Sequence, residues 1–233
     1  NGEEIGLFDP EGTLVDSVDF DRQIADVSQG RQTEDGRWLF FSEPTPGAPN
    51  GNTSLSEPTV SEPSEFSLPA GFYSGAQTIA LSHPHPDAVI RHTLDGSIPT
   101  STSEPYTVPL DLAATTVLRV RPFVPDQLPG PVLTRTYFID EESTLPVFSI
   151  STDPENLWDD EIGIYVDGTN GIIADDSVVP KNSNQSWERP AHVEFYETDG
   201  SPAFSQQIGL SIYGAFSRHY QQKSLSIAAR DKY

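Results

Sequence analysis

IRHTLDGSIPTSTSEPYTVPLDLAATTVLRVRPF, residues 90–123, is the stretch on which the fold turns. Val89-Ile90-Arg91-His92-Thr93-Leu94 and Thr116-Val117-Leu118-Arg119-Val120-Arg121 alternate apolar with polar side chains, the period of a strand with one buried face. Between them Asp95-Gly96-Ser97 is a hairpin signal, because glycine there supplies the positive φ that a tight turn needs. Outward from this stretch the pattern repeats. Gln77-Thr78-Ile79-Ala80-Leu81 alternates on the N-terminal side. Strands and turns over 64–140 follow one another at about the spacing of a β-sandwich.

Composition extends this reading to the whole chain. The 233 residues include 21 prolines and 17 glycines, which interrupt the chain too often for helices longer than about two turns. At 35% hydrophobic residues, the cores are modest and the chain reads as two or three small units. The expected fold class is mainly β, with immunoglobulin-like sandwich modules followed by a β-rich segment containing little helix.

N-terminal to the sandwich, Glu4–Phe8 and Thr13–Val18 flank a Asp9-Pro10-Glu11-Gly12 turn, which predicts a hairpin. Arg37–Phe41 follows as an aromatic strand, closed by the proline-rich run 44–50. Residues 51–63, rich in Ser, Pro, Glu and Thr, read as an extended linker. C-terminal to the sandwich, over 141–233, Val147–Ser151 reads as a strand. Asp153 is placed to cap a short helix with Pro154 at its first position. Ile162–Val166 reads as a further strand, followed by a polar loop from Asp167 to Glu188. Ala191–Tyr196 and Gln207–Gly214 then read as paired strands around an Asp199-Gly200 turn.

Three resemblances follow these boundaries. IGLFDPEGTLVDSV, DVSQGR and PTPGAPN, within residues 1–50, resemble the C-terminal half of a lamin-tail domain. The run from TLDGS through Pro99 to Tyr106, closing on TRTYFI, resembles the chitobiase/β-hexosaminidase C-terminal type of immunoglobulin-like domain, a module that accompanies catalytic domains and carries no catalytic residues itself. LPVFSISTDPENLWDDEIGIYV, WERPAHVEFYETDGS and IGLSIYGAFSRHYQQKSLSIAARDKY resemble the opening of the spore-coat protein H (CotH) kinase family. That family's catalytic carboxylates and metal ligands have no counterpart among these residues. The resemblances therefore imply accessory or spacer modules of a secreted or cell-surface bacterial protein, positioning a CotH-like domain. The alternatives are the front of an ATP-dependent kinase of that type and a carbohydrate-binding module. Starting mid-pattern at Asn1 and ending within an apparent strand at Tyr233, the sequence reads as a piece of a longer chain, with any signal or anchor outside it.

Charge narrows the partners. Thirty-five acidic residues face thirteen basic ones, of which only Lys181, Lys223 and Lys232 are lysines, for a net charge of −22. Such a surface repels a polyanion, which excludes nucleic acid, and it suits either a halophile or an acidic extracellular protein. A surface glycan, another protein and the adjoining domains of the same chain are the partners left. Cysteine is absent, so no disulfide, thiolate metal site or cysteine nucleophile exists. No run approaches the ~18 apolar residues of a membrane span.

The site candidates are few. Gly214-Ala215-Phe216-Ser217-Arg218 with Lys223 sets a glycine turn beside two cations, a pattern able to hold a polyphosphate. Arg230 and Lys232 add to this local departure from the acidic trend. The CotH resemblance places Arg218 and Lys223 at nucleotide-proximal positions, whereas the residues alone also read as a surface hairpin with solvated cations. No Walker A spacing follows. His83-Pro84-His85-Pro86-Asp87 suits zinc by ligand type, while its two prolines favour a turn. Asp153, Asp159, Asp160, Glu161, Asp167, Asp175 and Asp176 gather oxygens of the kind calcium takes, without EF-hand spacing. Trp38, Trp158 and Trp187 are the candidate sugar-stacking rings. No catalytic residue and no cofactor is assigned to these residues; ATP and Mg²⁺ enter only through the CotH resemblance.

Overall fold

The computed structural model describes residues 3–21, 27–32, 35–41, 44–50, 54–55, 59–174 and 177–229. It is mainly β and divides into Asn1–Thr59 and Val60–Tyr233.

In the first unit, β1 (Glu3–Phe8) and β2 (Leu14–Phe20) form the expected antiparallel hairpin. The Asp9 amide donates to the Thr13 carbonyl, the Asp9 carboxylate accepts from the Thr13 amide, and Gly12 supplies φ +85°. Ile5, Leu7, Phe8, Leu14 and Val15 on this hairpin are exposed. β3 (Ser28–Arg31), β4 (Trp38–Phe41) and β5 (Ser54–Leu55) make a second sheet, in which Leu39 and Phe41 are buried. Ser54–Leu55, within the proline- and serine-rich 51–63, thus pairs with Phe40 and Phe41.

In the second unit a sandwich occupies the stretch read as one. β7 (Gly71–Tyr73), β10 (Val89–Thr93), β11 (Glu104–Pro105), β13 (Thr116–Phe123) and β14 (Leu133–Ile139) form a sheet ordered β11-β10-β13-β14-β7, with β7 parallel to β14 and the other pairs antiparallel. Opposite it lie two ribbons, β6 (Glu65–Phe66) with β9 (Leu81–Ser82) and β8 (Gln77–Ile79) with β12 (Leu110–Leu112). Ile79, Leu81 and Leu112 from the ribbons meet Ile90, Leu118, Val120, Tyr137 and Ile139 from the sheet in one core. These are the inward members of the alternation. Ser61 and Ser64 are buried, and the Ser61 amide donates to the Leu128 carbonyl, so the chain before β6 is packed on the sandwich.

The Asp95-Gly96-Ser97 turn forms, but it does not close a two-residue hairpin. β10 pairs with β11 across a ten-residue connection and with β13 on its other edge. The Asp95 carboxylate accepts from the Ser97 amide and hydroxyl, and Gly96 takes φ +88°. The side chain of Asp95 thus holds the turn, which β13 also contacts through an Asp95–Val117 bridge.

Beyond the sandwich, β15 (Val147–Ser151), β16 (Arg189–Tyr196), β17 (Pro202–Tyr213) and β18 (Ser224–Ala228) form an antiparallel sheet in that order. Between β15 and β16 runs α1 (Pro154–Trp158), capped by Asp153, which accepts from the Glu155 amide. Ala191, Val193, Ile208, Leu210 and Ile212 on one sheet face pack under Ile164, Leu157, Tyr165 and Trp187. Ile162–Val166 is therefore not a strand. The amides of Gly163, Ile164 and Tyr165 donate to the carbonyls of Asp159, Asn156 and Leu157, which folds this segment back over α1 and drives Ile164 into the core. The polar loop after it is built on buried asparagines. Asn182 donates to the Asp160 carbonyl, and Asn184 donates to the carbonyls of Ile172 and Ala174 and to the Ser177 hydroxyl.

Candidate functional site

Alternation gives each strand two faces, and the second faces of the two sheets meet. On β13 and β14 the residues pointing away from the sandwich core are Arg119, Arg121, Thr134, Thr136 and Phe138. On β15 and β16 the residues pointing away from the apolar face are Ser149, Ser151, His192, Glu194 and Tyr196. Nearly all are polar, and in a lone sheet they would face water. Here Arg119, Arg121, Thr134, Thr136, Ser151, His192, Glu194 and Tyr196 are all buried.

The contacts across this joint fall into two halves. In one, the Thr136 hydroxyl lies 2.5 Å from a Glu194 carboxylate oxygen and 2.7 Å from the Ser149 hydroxyl. In the other, the Tyr196 ring stands edge-on to Phe72 and Phe138, at centroid separations of 5.7 and 5.4 Å, and those two rings stack on each other at 4.4 Å. Edge-to-face rings of this kind add about 0.5–1.5 kcal/mol per pair beyond the area they bury. Gly96 reaches the same joint from its turn. A Cβ there would lie 2.9 Å from the Thr152 carbonyl oxygen, and the Gly96 carbonyl accepts from Arg119 Nη1 at 2.7 Å.

Burial sets the protonation states. Loss of solvent raises the Glu194 carboxyl above its ordinary value, opposed chiefly by hydrogen bonding from Thr136. Desolvation, reinforced by Arg119 and Arg135, pushes His192 down to about 4, so its imidazole is neutral at pH 7. Its Nε2 lies 2.8 Å from the Ser205 hydroxyl. Tyr196 and Tyr137 are raised, first by burial, and stay protonated. A buried carboxylate held by a hydroxyl, a neutral imidazole and an aromatic cluster suit a fixed contact between sheets.

The residues singled out for phosphate binding do come together, at the far end of β17. Gly214 takes φ +98°. Arg218, on the short 3₁₀ turn Phe216–His219, donates to the carbonyls of Gly214, Ser183, Gln185 and Ile212. Lys223 donates to the carbonyls of Arg218 and Tyr220 and sits 5.5 Å above the Tyr165 ring; burial lowers its ammonium, countered by Asp167. Arg218 thus ties the turn to the loop at 183–185, and Lys223 braces the turn itself over Tyr165. Arg230 and Lys232 lie outside the described residues.

In the histidine segment, the ring nitrogens hold the main chain. His83 Nδ1 accepts from the His85 amide, His85 Nδ1 accepts from the Asp87 amide, and His83 Nε2 lies 2.9 Å from the Glu62 carbonyl. Of the acidic group, Asp153 caps α1, Asp159 accepts from the amides of Glu161 and Ile162, and Asp167 pairs with Lys181; Asp175 and Asp176 lie outside the described residues. Among the described residues no three His, Asp or Glu side chains are grouped as a metal would require. Trp187 is partly buried in the sheet core beneath Arg189, Trp38 carries Arg31 over its ring, and Trp158 is 58% exposed with its ring against Tyr165.

The joint was not among the sites expected from sequence. Its one visible signal is the run His192-Val193-Glu194-Phe195-Tyr196, where both alternating faces carry groups too costly or too large to leave unpaired.

Compared with known proteins, residues 68–134 match the model of the chitobiase/β-hexosaminidase C-terminal domain. The match runs from just before β7 into the start of β14, the body of the sandwich. No curated protein and no solved structure matches the chain. Among the described residues no helix is long and apolar enough to cross a membrane.

Proposed function

We propose that Val60–Tyr233 is a non-catalytic accessory unit of an extracellular or cell-surface protein, in which the sandwich holds the four-stranded sheet at a fixed orientation. The observation that carries this is the buried joint, where Thr136 bridges Ser149 and Glu194 beside the Tyr196–Phe72–Phe138 cluster. A flexible spacer would keep polar faces hydrated, whereas a charge buried between two sheets is tolerable only when its partners stay in place. The similarity of residues 68–134 to a domain found in glycan-processing enzymes supports the accessory character. Native-state hydrogen exchange tests the reading: the amides of β14 and β16 should lose protection in one cooperative opening. Opening of β16 while β14 stays protected would refute it.

In the finer form of this proposal, the four-stranded sheet opens a CotH-like domain, and residues 1–50 are lamin-tail-like. The motifs quoted above support both, as do the exposed apolar residues of the β1–β2 hairpin. In that setting Gly214, Arg218 and Lys223 lie beside a nucleotide, and ATP with Mg²⁺ is the ligand. Titration of ATP and Mg²⁺ into a chain carrying the whole CotH-like region should show saturable binding, weakened by Lys223→Met; no binding removes this form and leaves the accessory reading standing. The exposure of Trp158 favours a glycan as a second ligand class, which a glycan array tests directly.

A further inference from the structure

Beyond the Thr136–Glu194 contact, the polar half of the joint continues for one more pair of residues on each strand. Because Thr136 meets Glu194 and Phe138 meets Tyr196, β14 and β16 advance together, and extending that register by one more pair sets Thr134 opposite His192. Ser151 is the cross-strand partner of His192, and Arg119 that of Thr134. Thr134, Ser151 and His192 retain 1%, 5% and 7% of their surface. Yet Thr134 Oγ1, Ser151 Oγ and His192 Nδ1 reach no hydrogen-bonding group of the protein. Buried polar atoms in folded proteins are paired in the great majority of cases, with ordered water where protein groups do not reach. Three such atoms at neighbouring register positions on three strands are placed to share one partner.

We propose that this end of the joint encloses ordered water that bridges Thr134 Oγ1, Ser151 Oγ and His192 Nδ1 across the two sheets. Water fits the chemistry better than an ion does. It donates and accepts, so it satisfies two hydroxyls and either tautomer of a neutral imidazole, and three partners is the usual number for a buried water. An anion would meet the Glu194 carboxylate two residues along β16, and a cation would meet Arg119. The inference rests on the geometry of the joint and stands apart from the accessory reading.

A high-resolution crystal structure of the chain tests it directly. The expected result is a solvent peak within hydrogen-bond distance of at least two of the three atoms. A dry contact, with the three atoms turned to protein partners, overturns the proposal. So does an anomalous peak at that position in crystals grown with bromide. In solution, the cycle of Thr134→Val, Ser151→Ala and the double variant supplies a second test. A shared bridging water predicts that the two effects fail to multiply by about threefold or more in the unfolding constant. Independent effects overturn it.

Discussion

Acidification acts on the joint through His192, and the sign follows from its burial. In the unfolded chain its imidazole titrates near its ordinary 6.5, whereas in the folded protein desolvation, Arg119 and Arg135 push it down to about 4. Between those values the unfolded state binds a proton that the folded state refuses, so stability falls as pH drops from 6.5 to about 4 and is unaffected by this group above 6.5. At about 1.4 kcal/mol for each tenfold change in proton affinity, the full loss is about 3 kcal/mol, a large part of a small domain's stability. Glu194 works in the opposite direction. Its raised carboxyl makes the folded state the better proton binder, so its contribution is fully present at low pH and lost as pH rises through its folded value. The two overlap, and the wild-type profile alone does not separate them. His192→Gln does, because glutamine keeps a polar group near the Ser205 hydroxyl and removes the titration. Urea unfolding at a series of pH values from 7 to 4 should give two curves that converge on acidification, with the wild type losing about 3 kcal/mol more than the variant. Curves that stay parallel through this range would show that His192 is not held neutral by the joint and would refute the reasoning.

Other substitutions address the same contact from different sides. Thr136→Val strips the buried Glu194 carboxylate of its hydroxyl donor and should cost about 2–3 kcal/mol in chemical denaturation; adding Glu194→Gln should recover part of it. Gly96→Ala strains a residue at φ +88° and drives a Cβ against the Thr152 carbonyl, for a loss of about 1–3 kcal/mol by the same assay. Arg218→Met removes a guanidinium that joins four main-chain carbonyls, and differential hydrogen exchange should show lost protection in 183–185 and 212–218 with none in the sandwich. With a net charge of −22, salt should screen the repulsion among surface carboxylates and raise the melting temperature in molar salt; a flat response would remove the halophilic reading.

What sequence made legible and what it concealed divide along one physical line. Period-two alternation reports which side chains share a face, and so strands of the sandwich and core residues such as Ile79, Leu118 and Val120 could be read from residues alone. Local chemistry was equally readable: Asp153 does cap a helix with Pro154 at its first turn, and Asp9–Gly12 does close a hairpin. Alternation cannot say what a polar face is pressed against. Arg119, Thr136, His192 and Glu194 look solvated in sequence, and only the meeting of two sheets makes them interior. The same limit explains Ile162–Val166, whose β-branched residues suit a strand although the amides of Gly163, Ile164 and Tyr165 are claimed by the carbonyls of Asp159, Asn156 and Leu157. Gly96 shows both sides at once. Its sequence neighbours predict the turn, while the nearness of the Thr152 carbonyl, fifty-six residues along the chain, gives glycine a second reason to stand there. That second reason couples the turn of the sandwich to the sheet beyond it. A substitution made to probe the turn will therefore also report on the joint.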